Sequence, residues 1–211
     1  MTTGIEGLRE ISAHLTQVLG GDVVSVEIQR GELIVFVKRE SIVKTVTTLR
    51  DDPKLAFTQL IDVTAVDYPQ RPERFEIVYL MLSMRHNQRV RVKLTVGEEV
   101  TVPSVTGVFP CADWCEREVW DMFGVFFSDH PDLRRILTDY GFEGHPLRKE
   151  FPLTGYVEVR YDVEQKRVIY EPVKLAQDFR SFDFLSPWEG IQKLLPGDEK
   201  AQPAPTKQGG A

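Results

Sequence analysis

Apolar side chains recur at helical spacing over residues 5–19, where Leu8, Ile11, Leu15, Val18 and Leu19 share a stripe and Gly20-Gly21 follows as a stop. Residues 22–29 then alternate as a strand, with Val24, Val26 and Ile28 on one side. Arg30-Gly31 reads as a tight turn into Leu33–Val37, an almost continuous apolar run that suits a strand covered on both faces. Ile42, Val46 and Leu49 predict a second amphipathic helix, ended by Asp51-Asp52-Pro53. Three further strands follow at 60–66, Phe75–Met84 and Arg89–Val96. In the last, Val90, Val92, Leu94 and Val96 alternate with Arg89, Arg91, Lys93 and Thr95, which implies one buried face and one basic, wet face. The predicted fold class is therefore α+β: a two-layer α-β2-α-β3 domain with a mixed sheet over residues 1–108.

The pattern changes at Pro110. Residues 109–129 hold a short helix, about Trp114–Phe123, with Asp113 as a candidate cap and Glu116 completing a box-like pattern three residues on. Gly124 is a natural terminator. Two adjacent apolar stripes, Cys115/Val119/Met122 and Trp120/Phe123, require cover from more than one side. Residues 130–195 are broken by prolines and glycines yet rich in Leu, Phe, Tyr and Trp, as expected of an extended arm lying on another protein. Within it, Tyr156–Asp162 and Arg167–Glu171 read as short strands. Residues 196–211 read as a disordered tail.

Composition narrows the function. A net charge of -6 disfavours a nucleic-acid partner, and no apolar run approaches membrane-spanning length. The N-terminus has the features of neither a signal nor a transit peptide. Two cysteines, Cys111 and Cys115, are too few for an iron–sulfur cluster and suit small half-buried apolar positions. His130 and His145 lack ligand spacing to them, so no metal is expected. Gly141–His145 lacks the Lys-Ser/Thr of a phosphate loop, and no dinucleotide fingerprint occurs.

The chemistry-bearing residues concentrate in one block. Glu116, Arg117, Glu118 and Asp121 fall on the short helix, with Arg117 and Asp121 one turn apart. A solvated, capped helix explains them; so does an interface, because Trp114, Trp120, Phe123, Phe126 and Phe127 are interleaved with the charges. A third reading makes Glu118, Asp121 and His130 an acid–base set, although no nucleophile or oxyanion donor is evident. Arg134 and Arg135 have Asp132, Asp139, Glu143 and Glu150 nearby for ion pairing.

The order Glu116-Arg117-Glu118, Asp121, Met122-Phe123, His130, Arg134 and Ile136-Leu137 resembles the signature of the 30-kilodalton-type (C) subunit of respiratory NADH:quinone oxidoreductase, complex I. Leu137–Pro146, Phe151–Tyr156, Glu171-Pro172-Val173 and Phe182–Trp188 resemble the alphaproteobacterial and mitochondrial branch of that family. The resemblance implies an α-β2-α-β3 domain with an extended C-terminal arm. It also implies a peripheral subunit on the cytoplasmic side of the bacterial inner membrane, or the matrix side in mitochondria. No cofactor is expected on this chain, with FMN, iron–sulfur clusters, NADH and quinone bound by other subunits of the complex. The expected partners are the D (49-kilodalton-type) subunit and other hydrophilic-arm subunits. On this reading Glu116, Arg117, Glu118, Trp120, Asp121, Phe123, His130, Arg134 and Arg135 are structural or interface positions, extended into the arm by His145, Arg148 and Tyr156. The equivalent subunit of a complex-I-related membrane-bound hydrogenase is the alternative; the arm through Ser186-Pro187-Trp188 favours complex I.

Overall fold

The structure, a computed structural model, describes residues 5–177. The Phe182–Trp188 segment and the 196–211 tail lie outside them. The described chain divides into two compact units, with the boundary in sequence between Gly155 and Tyr156.

In the first unit the order is α1 (Ile5–Leu19), β1 (Val23–Gln29), β2 (Glu32–Val37), α2 (Ile42–Asp51), β3 (Gln59–Asp67), β4 (Phe75–Ser83), β5 (Gln88–Val96), β6 (Val102–Pro103), α3 (Ala112–Phe123) and β7 (Phe127–Ser128). The first five strands form one sheet in the order β1-β2-β5-β4-β3. Only β2 and β5 run parallel, so the sheet is mixed, as expected. Arg30 and Gly31 both take positive φ, the requirement of the two-residue hairpin turn that joins β1 to β2.

One sheet face makes the core. Leu33, Val35 and Val37 of β2, Ile77, Tyr79 and Met81 of β4, and Val90, Val92 and Leu94 of β5 pack with Leu15 and Leu19 of α1 and Ile42, Val46 and Leu49 of α2. Two details depart from the simple alternation. Val24 is exposed because the β1–β2 register shifts between Val23 and Ser25, which takes one residue out of phase. Val18 lies off the buried stripe of α1.

The opposite face differs from the expected basic surface. Lys93 pairs with Glu76 (2.7 Å), which also takes Arg71 (3.1 Å), and Arg91 pairs with Glu32. Arg91 and Lys93 of β5 are thus neutralised by acids on β2 and β4, and the aliphatic stem of Lys93 brings its ammonium over the Phe36 ring.

α3 packs along β3, the edge strand at one end of the sheet, so that backbone edge is covered. Cys111 Sγ lies 3.8 Å from the Leu60 carbonyl, and Phe123 meets Phe75 edge to face. The helix begins two residues earlier than its expected start. Asp113 sits inside the first turn and makes no cap; the capping position is Cys111, without a side-chain cap bond. β6 and β7 pair in parallel on either side of α3 in sequence, which brings the Ser104–Thr106 turn against the helix.

Residues 130–155 are irregular but belong to the first compact unit. The second unit contains β8 (Val157–Asp162) and β9 (Arg167–Pro172), an antiparallel hairpin close to the two strands expected there.

Candidate functional site

The signature block folds into a clamp around α3. Asp121, fully buried, lies at its centre. Its Oδ1 accepts from Arg135 Nη1 (2.7 Å) and Thr138 Oγ (2.6 Å). Its Oδ2 accepts three consecutive backbone N–H groups, from Ile136 (3.1 Å), Leu137 (2.8 Å) and Thr138 (2.9 Å). Burial alone would raise the carboxyl's pKa; the hydrogen bonds from Thr138, Leu137 and Arg135 outweigh it and hold the group far below the usual carboxylate range. The 135–138 loop is shaped around this one anion.

Helical spacing predicts that Arg117 pairs with Asp121 one turn along. Instead its Nε donates to the carbonyl of Arg134 (3.1 Å) and its Nη2 to that of Arg135 (3.2 Å). Helix and loop are therefore tied in both directions: a helix acid holds loop donors, and a helix cation holds loop acceptors. Arg135 also donates to the Gly144 carbonyl (3.1 Å), and its guanidinium lies 5.7 Å from the Trp120 and Phe142 ring centres.

Glu116 makes the second tie. Its buried carboxylate accepts from Ser104 Oγ (2.6 Å) and the Val105 N–H (2.8 Å), so it holds the turn after β6 rather than facing solvent. Burial pushes its pKa to about 7, with the Ser104 and Val105 bonds pulling the other way. The buried ring of His130 lies beside it, with Nε2 3.9 Å from Glu116 Oε2 and 3.2 Å from both Oδ1 and the carbonyl oxygen of Asp113. Nδ1 accepts the Asp132 N–H (3.1 Å), so the neutral ring carries its proton on Nε2 and donates towards Asp113.

The C-terminal end of α3 is closed just as fully. A helix leaves its last carbonyls without internal partners. Here Trp120 O accepts the Gly124 N–H (2.8 Å), Asp121 O lies 2.9 Å from His145 Nδ1, Met122 O accepts the Leu147 N–H (3.0 Å) and Phe123 O accepts Arg148 Nε (2.6 Å). Burial and the nearby arginines outweigh the bond to Asp121 and lower the His145 pKa. Gly124 is required twice. Its φ is +79°, and a Cβ there would stand 2.5 Å from Arg148 Nη2 and 2.6 Å from His145 Nε2.

A further network has no counterpart in the sequence pattern. Asp67, at the end of β3, accepts from Arg74 Nε (2.6 Å) and Nη2 (2.8 Å) and from the Lys149 N–H (2.8 Å). Arg74 also reaches Glu98 and Glu150. The Arg74 bond holds Asp67 below its ordinary pKa against the effect of burial, and Asp67 first, then Glu150 and Glu98, raise the pKa of Arg74. The Arg74 and Arg148 guanidiniums each lie 5.2 Å from the centre of the Phe75 ring. Four chain segments meet there with no mutual spacing to betray them; the one local signal is an isolated Asp at a strand end.

Glu116, Arg117, Asp121, His130, Arg135, His145, Arg148 and the Trp120 and Phe123 rings are thus brought into or against one clamp. The side chain of Arg134 points to Asp132 on the surface (2.7 Å) and contributes its carbonyl instead. Glu118 is exposed, as is Trp114, one turn before it. Tyr156 belongs to the second unit, where its carbonyl accepts the Val173 N–H (3.2 Å). The acid–base set of Glu118, Asp121 and His130 is not assembled: Asp121's lone pairs are filled, and His130 turns to Asp113. The solvated-helix reading fails as well, because two of the block's acids and one of its cations are buried. Among the described residues, no group of three or more His, Cys, Asp or Glu is placed to hold a metal, and no helix is long and apolar enough to cross a membrane.

Fold and site together define a mixed-sheet α+β domain whose charged block fastens a helix and its flanking loops. The family described as "Respiratory-chain NADH dehydrogenase, 30 Kd subunit" matches residues 35–157. The C subunit of NADH-quinone oxidoreductase from Paramagnetospirillum magneticum is 66% identical over 197 residues, covering 93% of this chain and 98% of that protein. The C subunit from Rhodospirillum rubrum is 62% identical over 202 residues, 94% and 95% of the two chains. A chain of the archaeal membrane-bound sulfane sulfur reductase, a respiratory membrane complex, has the same fold: its TM-score is 0.63 at 23% identity, over 83% of this chain and 96% of that one. The chain belongs to the family of 30-kilodalton-type (C) subunits of NADH-quinone oxidoreductase, complex I.

Proposed function

We propose that this chain is a docking subunit of the peripheral arm of complex I, without an active site of its own, which fixes the D (49-kilodalton-type) subunit and its neighbours. In that arrangement it sits on the cytoplasmic face of the bacterial inner membrane, held there through its partners, while FMN, iron–sulfur clusters, NADH and quinone are bound by other subunits. Its contribution to electron transfer from NADH to quinone is mechanical: neighbouring subunits keep the separations that transfer requires.

One observation carries this reading. The buried ionisable groups of the signature block, Glu116, Arg117 and Asp121, direct their hydrogen bonds to backbone groups and to the loop residues Ser104, Thr138 and Arg135. Groups used in that way rigidify a surface, and a rigid surface loses less entropy on docking. The direct test is to purify the tagged chain from membranes of its host under mild detergent and identify what accompanies it. Recovery of a flavin- and NADH-binding partner with a D-type subunit supports the proposal. Recovery of a nickel–iron hydrogenase subunit, or of the chain alone, overturns it.

A further inference from the structure

Among the described residues, the buried acids other than Glu116 each have a strong cation. Asp67 pairs with Arg74, Glu76 with Arg71 and Lys93, and Asp121 with Arg135. The ion-pair candidate within 4 Å of Glu116 is instead the buried ring of His130, at 3.9 Å. That ring has no open site for a second proton, because Nδ1 already accepts the Asp132 N–H (3.1 Å). Arg117, the next residue of α3, spends its Nε and Nη2 donors on the Arg134 and Arg135 carbonyls. A buried carboxylate without a cation is costly, and uptake of a proton relieves the cost. The hydroxyls around Glu116 fit both of its states. When it is charged, Ser104 Oγ donates to Oε2 (2.6 Å) and accepts the Thr106 hydroxyl (2.8 Å) and N–H (3.2 Å). Either hydroxyl of the Ser104–Thr106 pair can be the donor. When Oε2 carries a proton, it donates to Ser104 Oγ, which turns its own hydrogen to Thr106 Oγ1. No heavy atom moves and no donor is stranded. The Val105 N–H keeps Oε1 as its acceptor (2.8 Å) in both states.

We propose that Glu116 is a regulatory proton-binding site, with the Ser104–Thr106 hydroxyl pair as its relay, whose occupancy sets how tightly the 104–106 turn is held to α3. Ser104 and Thr106 are half-buried, so the pair leads from the buried carboxyl towards solvent. A proton from water reaches Oε2 along the two hydroxyls and leaves by the same route. The ionisable groups around the carboxyl favour the protonated form. Burial first, and the charge of Asp113 on the same helix as a further cause, push the Glu116 pKa to about 7, so the proton leaves across the neutral range. From β4, Tyr79 presents a phenol that burial, and then the Glu116 charge, keep protonated. Beyond His130, Asp132 is held charged by Arg134. The site goes beyond the docking role: its pH dependence belongs to the chain itself and needs no partner.

The test uses the full-length chain, with the Glu116 carboxyl carbon followed by nuclear magnetic resonance and assigned by its loss in Glu116→Gln. A titration midpoint of about 6 or higher is expected; a lower one, or a second proton on His130 in place of Glu116, overturns the proposal. Thr106→Val isolates the relay. The hydroxyl's bond to Ser104 is lost in both states, but only the protonated state leaves the Ser104 hydrogen without its acceptor. The midpoint should therefore fall by about 0.4–1 unit, and Thr106→Ser, which restores the hydroxyl, should return it to the wild-type value. An unmoved or raised midpoint in Thr106→Val overturns the relay. Hydrogen exchange at the Val105 N–H, corrected for its intrinsic rate, reads the joint itself. Protection should fall roughly tenfold between about pH 6 and 8, yet stay within about twofold in Glu116→Gln, whose amide copies the protonated carboxyl. A wild-type fall no larger than the variant's overturns the link between the proton and the joint.

Discussion

Asp121→Asn removes one charge at the centre of the clamp and changes little else. The amide keeps one acceptor oxygen and presents an NH2 group where the other oxygen was. Either the Arg135 guanidinium and Thr138 hydroxyl, or the three N–H groups of residues 136–138, then meet a donor. A hydrogen bond to a charged group contributes about 1.5–3 kcal/mol, and breaking a buried ion pair costs about 3–5 kcal/mol. These terms overlap, and the loop relaxes in part, so the expected loss is about 3–5 kcal/mol. At about 2–4 °C per kcal/mol for a chain of this size, the midpoint of thermal unfolding falls by roughly 10 °C. The control is Glu118→Gln, three residues earlier on the exposed face, where a surface change stays within about 0.5 kcal/mol. Thermal unfolding of the full-length chain, followed by far-ultraviolet circular dichroism, compares the two. If Asp121→Asn shifts the midpoint no more than Glu118→Gln does, Asp121 does not anchor the 135–138 loop.

Two other perturbations probe the same clamp. Gly124→Ala should cost about 2 kcal/mol or more, measured by denaturant unfolding, because the new Cβ meets Arg148 and His145 at an unfavourable positive φ; an unchanged midpoint would show that the 145–148 segment does not close the helix end. Glu116 sets a pH dependence of defined sign. Its folded pKa lies above its ordinary value, so its stabilisation is complete below about pH 4.5 and declines as pH rises through about 7. The full decline corresponds to at most about 3 kcal/mol. Glu116→Gln should remove that slope between pH 5 and 8, leaving the wild-type-minus-variant difference to fall across the window. A difference that is flat or rises with pH contradicts the buried, proton-poised carboxylate.

Much of the fold was legible because it rests on local periods. The strands and helices up to Val96 follow alternation and helical spacing, and positive-φ turn chemistry marks the β1–β2 connection. The departures arise where a tertiary constraint replaces a local one. A single bulge turns Val24 outwards, and cross-strand pairing neutralises Arg91 and Lys93 of a strand that reads as basic on its own. The clamp was legible as a set of residues but not as a set of contacts. Helical spacing offers Arg117 to Asp121, whereas each is taken by backbone groups more than ten residues away, which no short-range rule anticipates. The Asp67–Arg74–Glu98–Glu150 network was not legible as a set because its members come from separate segments; Glu150, offered by sequence proximity to Arg134 and Arg135, pairs with Arg74 instead.

Arg135 is where docking and chemistry make opposite predictions. Its side chain ties Asp121 and the Gly144 carbonyl, and it belongs to the loop that shapes the clamp. The decisive measurement is Arg135→Ala in the host chromosome, with the amount of assembled complex read from native gels and NADH:quinone turnover expressed per assembled complex. A docking role predicts severalfold less assembled complex, with turnover per complex within about twofold of wild type. Normal assembly with collapsed turnover would place this block in the reaction and contradict a docking role.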